Sequence, residues 1–364
     1  KWNYNVHVYP KNTLSGVDKQ VTDKPAPGSG QNITYTITTS IPKVDYPGGA
    51  RIKRYEVVDQ LDKRINKSTL APVVKIVSGQ QETVLADTTD YTLITAEGTK
   101  HNWATIQLTE EGRRKAAEAR HNGNGETKVQ VTLTATFDPK SVDLEGVLSN
   151  TAGLIPNDSP NFTWDPNNPG TTTDVPGIPT TPVLSKYGKV NLTKTGTDKL
   201  DDKTKYNGAQ FQVYECTKTA SGATLRDGDP STPTVDPLTI GGEKTFTTAG
   251  QGTVTINSLR ANDYVDGVKK DALTDEDYYC LVETKAPEGY TLQPDPIPFR
   301  VLATDAEAKV PTEVTVTDVP KNAGFRLPLT GANGVIFLTV AGALLVVGGA
   351  VIAYANKRRH AAKH

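Results

Sequence analysis

The sequence is poor in the residue types that most metal and nucleophile sites require. It contains two cysteines, five histidines and no methionine in 364 residues, and the histidines are scattered along the chain. A zinc cluster, a haem site or a Cys/His catalytic pair is therefore nearly excluded, and we expect no cofactor. The 40 basic and 41 acidic residues balance, so the charge indicates no nucleic-acid partner.

The remaining composition favours a folded all-β protein. Hydrophobic residues make up 36% of the chain and charged residues 22%, as in a soluble body, whereas long amphipathic helical patterns are scarce. Alternation of apolar and polar residues predicts strands at 32–39, 55–61, 128–137, 189–194, 209–216, 252–259, 278–283 and 313–319. One helix is predicted over 110–121, with Thr109 as its N-cap.

A stretch rich in proline, threonine and glycine divides this body in two. Residues 171–185 read TTTDVPGIPTTPVLS and lack the alternation of a strand, which predicts a semi-rigid linker. The flanking domains then span 13–170 and 186–323. Antiparallel alternation with a turn about every ten residues predicts two tandem immunoglobulin-like β-sandwiches. The sequence leaves open whether the acidic loops of the first domain hold a structural metal ion.

The C-terminus has the pattern of a membrane anchor. Residues 334–355 read GVIFLTVAGALLVVGGAVIAYA and carry no charge. A helix of these 22 residues spans about 33 Å, enough for the ~30 Å hydrocarbon core of a bilayer. The basic tail at 356–364 places this end in the cytoplasm and the body outside. The alternative is a buried core helix, which the terminal position and the adjacent basic cluster disfavour.

A pentapeptide precedes the apolar span. It consists of Leu327, Pro328, Leu329, Thr330 and Gly331. An LPxTG motif followed by an apolar span and a basic tail resembles the sorting signal of Gram-positive surface proteins. The resemblance implies that a sortase, a transpeptidase with a cysteine nucleophile, cuts between Thr330 and Gly331 and passes the Thr330 acyl group to an amine.

The N-terminal segment, residues 1–12, carries a second motif. Residues 2–12 read WNYNVHVYPKN, which resembles the pilin motif W-x3-V-x-V-Y-P-K of sortase-assembled pili. In an extended segment Lys11 lies on the more polar face, opposite Tyr4, Val6 and Val8. The resemblance implies that Lys11 is the amine nucleophile for pilus linkage. The alternative is an ordinary exposed lysine after an edge strand.

Six charged or amide residues stand in line with apolar residues on predicted strand faces. They are Lys19, Asp59 and Asn150 in the first domain, and Lys194, Glu283 and Asp318 in the second. Each domain would thus direct one lysine, one carboxylic acid and one amide or second carboxyl towards its interior. An unpaired buried charge costs several kcal/mol, so the same set of buried polar residues in both domains indicates a common cause.

The blocks around these residues resemble the two collagen-adhesin domain types of Gram-positive backbone pilins. GVDKQVTDK, YEVVDQLDKRI and VLSNTAGL are similar to the A-type, whereas GKVNLTKTG, GAQFQVYE and YYCLVETKAPEGY are similar to the B-type. The resemblance implies a spontaneous isopeptide bond in each domain. Lys19 would bond to Asn150, assisted by Asp59.

In the second domain Lys194 would bond to Asp318, assisted by Glu283. This sequence has Asp318 where the family usually has asparagine, so this bond would release water instead of ammonia, and Asn322 is the fallback partner. The alternatives for all six residues are buried salt bridges or wrongly assigned strand faces.

Both cysteines, Cys216 and Cys280, lie in the second predicted domain. An exported protein with an even number of cysteines usually oxidises them, which predicts a disulfide between the two. A bridge between these two strands is also similar to that of some actinobacterial pilins. The alternative is two unpaired thiols.

Nearly the whole chain resembles a sortase-assembled backbone pilin, which implies a structural subunit of a covalent cell-surface pilus and not an enzyme. Its partners would be a pilin-specific sortase, identical subunits, ancillary pilins, peptidoglycan and a host surface ligand. It would be membrane-anchored before sortase cleavage and then part of the cell wall or extracellular pilus. The alternative is a monomeric wall-anchored adhesin, or an ancillary tip or base pilin. The family pattern also predicts a signal peptide and a further domain ahead of Lys1.

Overall fold

The computed structural model describes residues 16–24, 32–48, 51–123, 126–136, 146–156, 164–226 and 235–321. These residues form 20 strands, two α-helices and two short 3-10 helices, which confirms the predicted all-β class. The first ten strands are β1 Val17–Thr22, β2 Asn32–Ser40, β3 Glu56–Leu61, β4 Ala71–Ser78, β5 Gln81–Val84, β6 Tyr91–Glu97, β7 Asn102–Leu108, β8 Lys128–Thr136, β9 Gly146–Ile155 and β10 Ile178–Pro179.

The second ten strands are β11 Val183–Gly196, β12 Gln210–Thr219, β13 Gly222–Leu225, β14 Phe246–Thr247, β15 Thr253–Arg260, β16 Tyr264–Val265, β17 Val268–Lys269, β18 Tyr278–Lys285, β19 Ile297–Phe299 and β20 Thr312–Asp318. The helices are α1 Glu110–Asn122 and α2 Ala303–Ala308, and the 3-10 turns are Lys67–Thr69 and Lys203–Tyr206.

Two sheets enclose the first hydrophobic core. One sheet has the strand order β1-β2-β8-β4-β5, and the facing strands have the order β9-β3-β7-β6. Strand β2 shows how the alternation builds this core, because Ile33, Tyr35 and Ile37 are buried while their neighbours are partly exposed. The result is the immunoglobulin-like sandwich that the alternation predicts.

A second core lies between another pair of sheets. Strands β11, β15 and β20 form one side, and the sheet β13-β12-β18-β19 forms the other. Phe211, Tyr279 and Leu281 are fully buried in this core. Strand β20 pairs with β11 in parallel, whereas β15 pairs with β11 antiparallel on its other edge.

The 14-residue strand β11 belongs to both halves of the body. Its first part, from Val183 to Tyr187, pairs with β9 of the first sandwich. Its second part pairs with β15 and β20 of the second sandwich. Backbone hydrogen bonds therefore run without interruption from β3 and β9 through β11 to β15. The described residues up to Asp318 accordingly form one compact unit, and the boundaries of two separate domains stay a prediction.

The stretch predicted as a linker lies along the first sandwich. Strand β10 pairs with β9, and the Thr180 N–H donates to the Ala152 carbonyl at 2.8 Å. Gly153 permits the close approach, since a Cβ at this position would lie 2.0 Å from the Pro176 carbonyl oxygen. Composition alone indicates a spacer here because the stretch lacks alternation, but its backbone groups bond to β9, and β11 already begins at Val183.

Helix α1 confirms the one helix expected from the sequence. Thr109 caps it, with Oγ1 accepting a hydrogen bond from the Gly112 N–H at 3.2 Å. No helix within the described ranges is long and apolar enough to cross a membrane. The predicted span at 334–355, the basic tail, the LPxTG pentapeptide and the segment 1–12 all lie outside those ranges.

Candidate crosslink sites and family membership

The first site brings together the three polar residues predicted for the first domain. Lys19 on β1 reaches across the core and donates from Nζ to Oδ1 of Asp59 on β3, at 2.6 Å. Asn150 lies on β9, the neighbour of β3, and only 1% of its surface is exposed. The side chains of Lys19 and Asp59 are 0% and 1% exposed, so the contact is shielded from water.

Burial shifts both ionisable groups of this site towards their neutral forms. It lowers the pKa of Lys19 and raises the pKa of Asp59, although each group partly offsets the shift of the other. The ring of Tyr35 on β2 covers the amine, with Nζ 4.5 Å from the ring centroid. A neutral lysine amine is a nucleophile, and a protonated carboxyl can act as a general acid.

Asn150 lies close to this pair, but its side-chain amide is not engaged in a hydrogen bond of ordinary geometry. Burial raises the pKa of Asp59 and of Tyr35, and the nearby Asn150 side chain offsets part of both shifts. Nevertheless, neither the oxygen nor the nitrogen of its amide has a hydrogen-bond partner of ordinary geometry, and the same holds for Asp59 Oδ2. Buried polar groups are normally paired, so a dry site with unpaired amide atoms is unusual for a purely structural contact.

The second site repeats the arrangement with a carboxyl in place of the amide. Lys194 Nζ on β11 lies 2.5 Å from Oδ1 of Asp318 on β20, and both side chains are 0% exposed. The parallel register pairs Lys194 with Val316, two residues before Asp318, so the two side chains share one face of neighbouring strands. The contact lacks the geometry of a hydrogen bond, because neither oxygen of Asp318 has a hydrogen-bond partner.

Glu283 on β18 faces this pair from the opposite sheet. Its Oε1 lies 3.7 Å from Lys194 Nζ, and its Oε2 accepts a hydrogen bond from the Gln293 N–H at 2.7 Å. The pKa of Glu283 is raised to about 7, chiefly by burial and to a smaller extent by Asp318, whereas the Gln293 N–H and Lys194 oppose the rise. Glu283 therefore keeps a large share of its proton at neutral pH, as a general acid requires.

All six residues predicted from strand alternation occupy these two sites. Asn322, the fallback partner, lies outside the described ranges, as do Lys11 and Thr330. The Gln293 N–H has no signal in the sequence, because any residue type can supply a backbone donor. The alternation in β2 places Tyr35 on the core face but does not indicate its contact with the Lys19 amine.

The two cysteines form the predicted disulfide. Cys216 on β12 and Cys280 on β18 are bonded, with their Cα atoms 5.8 Å apart. Both residues are 0% exposed, on adjacent antiparallel strands. In the parts of the chain that the structure describes, no group of three or more His, Cys, Asp or Glu residues could hold a metal ion.

Tandem immunoglobulin-like sandwiches, followed in the sequence by an LPxTG pentapeptide, are typical of sortase-assembled surface pilins. A family model described as an LPXTG cell wall anchor motif matches residues 319–362, and one described as a prealbumin-like fold domain matches residues 188–319. Over 364 residues the chain is 87% identical to the fimbrial subunit type 1 of Actinomyces viscosus, covering 100% of this chain and 68% of the relative. The chain belongs to this family of fimbrial subunits.

Other relatives agree with this membership. The fimbrial subunit type 2 of Actinomyces naeslundii is 33% identical over 368 residues, covering 98% of this chain and 64% of the relative. The structure of the fimbrial protein FimP from Actinomyces oris has a TM-score of 0.79 at 86% identity, covering 88% of this chain and 71% of that one.

The full-length major pilin SpaD of Corynebacterium diphtheriae shares the fold, with a TM-score of 0.59 at 24% identity over 85% of this chain and 66% of that one. The chain is thus a structural subunit of a pilus anchored to the cell wall.

Proposed function

We propose that this chain is the shaft subunit of its pilus, joined head-to-tail by a bond between Thr330 of one copy and Lys11 of the next. The acyl donor motif at 327–331 and the nucleophile motif at 2–12 are two different segments that lie far apart in the sequence. A contact between two different surfaces does not close on itself, so repetition produces a filament. A pilin-specific sortase, identical subunits, ancillary pilins and peptidoglycan are the partners that this proposal requires.

We further propose that each half of the subunit is locked by an internal isopeptide bond. The observation that carries this proposal is the second site, where the Lys194 amine lies 2.5 Å from a carboxyl oxygen of Asp318 in a fully buried pair. The amine donates to the Val316 carbonyl at 3.3 Å, but neither oxygen of Asp318 has a hydrogen-bond partner. An ion pair in such surroundings would be costly unless its hydrogen bonds were satisfied. A covalent amide removes both charges and this cost.

The chemistry at the second site balances as a condensation. The neutral Nζ of Lys194 attacks Cγ of protonated Asp318, one C–N bond forms, one C–O bond breaks and water leaves. Protonated Glu283 gives its proton to the departing hydroxyl and takes one from the attacking nitrogen. Rigid strands hold the reacting groups in contact, which accelerates the reaction as a very high concentration of free reactants would.

The first site follows the same course with a different leaving group. Nζ of Lys19 attacks Cγ of Asn150, the Cγ–Nδ2 bond breaks and ammonia leaves. Asp59, whose pKa burial raises, carries the proton from the amine to the departing nitrogen. The net change is one new amide bond between β1 and β9.

Tryptic peptides of the full chain test both bonds. The second bond should join peptide 190–199 to peptide 310–321 at a mass one water below their sum. The first should join peptide 12–43 to peptide 141–186 at one ammonia below their sum, since trypsin does not cut after an acylated Lys19 or before Pro25. Mass spectrometry of the digest measures both.

Two variants serve as matched controls for this digest. Glu283→Ala should lose the water-releasing link and keep the other, whereas Asp59→Ala should do the reverse. Recovery of unlinked peptide 310–321 from the mature wild-type chain would overturn the second bond. Unlinked peptides 20–43 and 141–186 would overturn the first.

We expect the second bond to form more slowly as the pH rises through about 7. The reactive form contains neutral Lys194, protonated Asp318 and protonated Glu283. Proton transfer from Lys194 to Asp318 converts the ion pair into this reactive form. The transfer needs no proton from solvent, because both forms carry the same number of protons. Loss of the Glu283 proton, with a pKa of about 7, depletes both forms.

The rate should therefore fall about tenfold between pH 6 and pH 8, as the protonated fraction of Glu283 does. The yield of linked peptide in freshly synthesised chains, sampled over time at each pH, measures the rate. A rate that rises over this interval would show that Glu283 does not act as the acid.

A further inference from the structure

The carboxyl of Glu283 is held in one orientation by a single backbone donor. The Gln293 N–H binds Oε2 at 2.7 Å, whereas Oε1 has no hydrogen bond and lies 3.7 Å from Lys194 Nζ. A partial rotation of the carboxyl would turn Oε1 away from Lys194 and would break the hydrogen bond to Oε2. The position of Gln293, in the loop after β18, therefore decides whether Oε1 is directed at the Lys194–Asp318 pair.

Tyr290 anchors this loop three residues before Gln293. It is 5% exposed, and its hydroxyl donates to Oδ2 of Asp198 at 2.6 Å. The other oxygen of Asp198, Oδ1, accepts a hydrogen bond from the Tyr206 hydroxyl at 3.1 Å, and the two tyrosine rings meet edge to face at 5.5 Å. The loop is thus fastened to the residues that follow β11.

The ring of Tyr290 also packs against Gly196, close to the proposed crosslink. Gly196 is the register partner of Asp318, and a Cβ at Gly196 would lie 2.6 Å from Cε1 of Tyr290. The next residue, Thr197, donates its N–H to the Asp318 carbonyl at 2.9 Å. One short stretch of chain, 196–198, therefore contacts both the Gln293 loop, through Tyr290, and the strand end that carries Asp318.

We infer that Tyr290 is a positioning residue for the second crosslink: its hydrogen bond to Asp198 fixes the loop whose Gln293 N–H orients the Glu283 carboxyl. The inference rests on the proposed Lys194–Asp318 bond and goes beyond it. Tyr290 touches none of the reacting atoms, so it acts through Gln293 and Glu283. Tyr206, which binds the same Asp198 but contacts neither Gln293 nor Glu283 by a hydrogen bond among those described, has no such part.

Tyr290→Phe and Tyr206→Phe form a matched pair, because each removes one hydroxyl from the same carboxylate. Tyr206→Phe is the more severe control, since it also removes the acceptor of the Leu200 N–H. Both variants of the full chain are synthesised in a cell-free system under oxidising conditions, and aliquots are digested with trypsin over time. The readout is the ratio of linked peptide 190–199/310–321 to free peptide 310–321. Alkylation of Cys216 and Cys280 in the same digests reports whether the second half has folded.

We expect Tyr290→Phe to slow linkage by a factor of about ten, a part of the ~10²–10⁴ that a positioned acid or base contributes. Tyr206→Phe should link at the wild-type rate, with the disulfide formed in both variants. Weaker binding of the Gln293 N–H would also raise the pKa of Glu283 further, because that donor now lowers it. The alkaline decline in rate should therefore move to higher pH in Tyr290→Phe.

Two results would overturn the inference. One is a wild-type rate in Tyr290→Phe. The other is a slower rate that is not specific to the proposed role: either its alkaline decline stays at the wild-type pH, or Tyr206→Phe shows the same slower rate. A general loss of stability would produce such a result. If the wild-type chain itself yields no linked peptide, the proposed bond fails, and that result is distinct from either of these.

Discussion

Lys11→Ala should abolish the high-molecular-weight ladder in immunoblots of cell-wall extracts and leave one wall-linked monomer band. The sorting signal at 327–331 is intact in this variant, so the sortase still forms an acyl intermediate at Thr330. The intermediate then lacks the lysine of the next subunit and passes only to the wall amine. The expected effect is all-or-none, because each shaft bond needs this amine.

Lys43→Ala is a suitable control, since Lys43 is an exposed lysine outside the motif. Its ladder should be unchanged. A surviving ladder in Lys11→Ala would contradict the proposed linkage, and a single band in the wild type would indicate the monomeric adhesin. Peptide sequencing of the wild-type polymer should find Thr330 as the last residue of each incorporated subunit, joined to Lys11.

Asn150→Ala should lower the free energy of unfolding of the first half by about 5 kcal/mol. The proposed bond closes a loop of more than a hundred residues between Lys19 and Asn150, and the loop-closure relation used for disulfides assigns about that value to it. The variant keeps the Lys19–Asp59 contact, so the loss reports the missing bond. Urea unfolding followed through the fluorescence of Trp103 and Trp164, both buried in the first half, measures it.

Lys19→Ala should be worse than Asn150→Ala although both remove the same bond. It also leaves the buried Asp59 carboxyl without its hydrogen-bond donor, which costs roughly 1–3 kcal/mol more. Equal stabilities for the two variants would show that the Lys19–Asp59 contact contributes nothing once the bond is absent. A wild-type midpoint in Asn150→Ala would mean that no bond joins β1 to β9.

Strand alternation predicts much of the candidate sites because a polar residue on an apolar face is visible at a period of two. Lys194 stands in line with Val190 and Leu192, and the structure buries all three. Alternation gives the face of a residue but no distances between strands. The parallel pairing of β11 with β20, which places Lys194 beside Asp318, depends on chain topology and has no local signal.

Other parts of the structure cannot be predicted from sequence patterns, for a different reason. The Gln293 N–H and the Pro176 carbonyl are backbone groups, and any residue type could supply them. The stretch at 171–185 is rich in proline and threonine, a composition shared by free spacers and by segments that pack on a sheet. Only the hydrogen bonds to β9 distinguish the two.

The sharing of β11 between the two halves has a consequence for how the fibre bends. A hinge between the halves would have to break hydrogen bonds of β11 to β9 on one side or to β15 and β20 on the other. Bending between the two halves is therefore suppressed. In the fibre that we propose, these halves would act as one stiff rod, and the bending stiffness would depend on how often such rods are interrupted along its length.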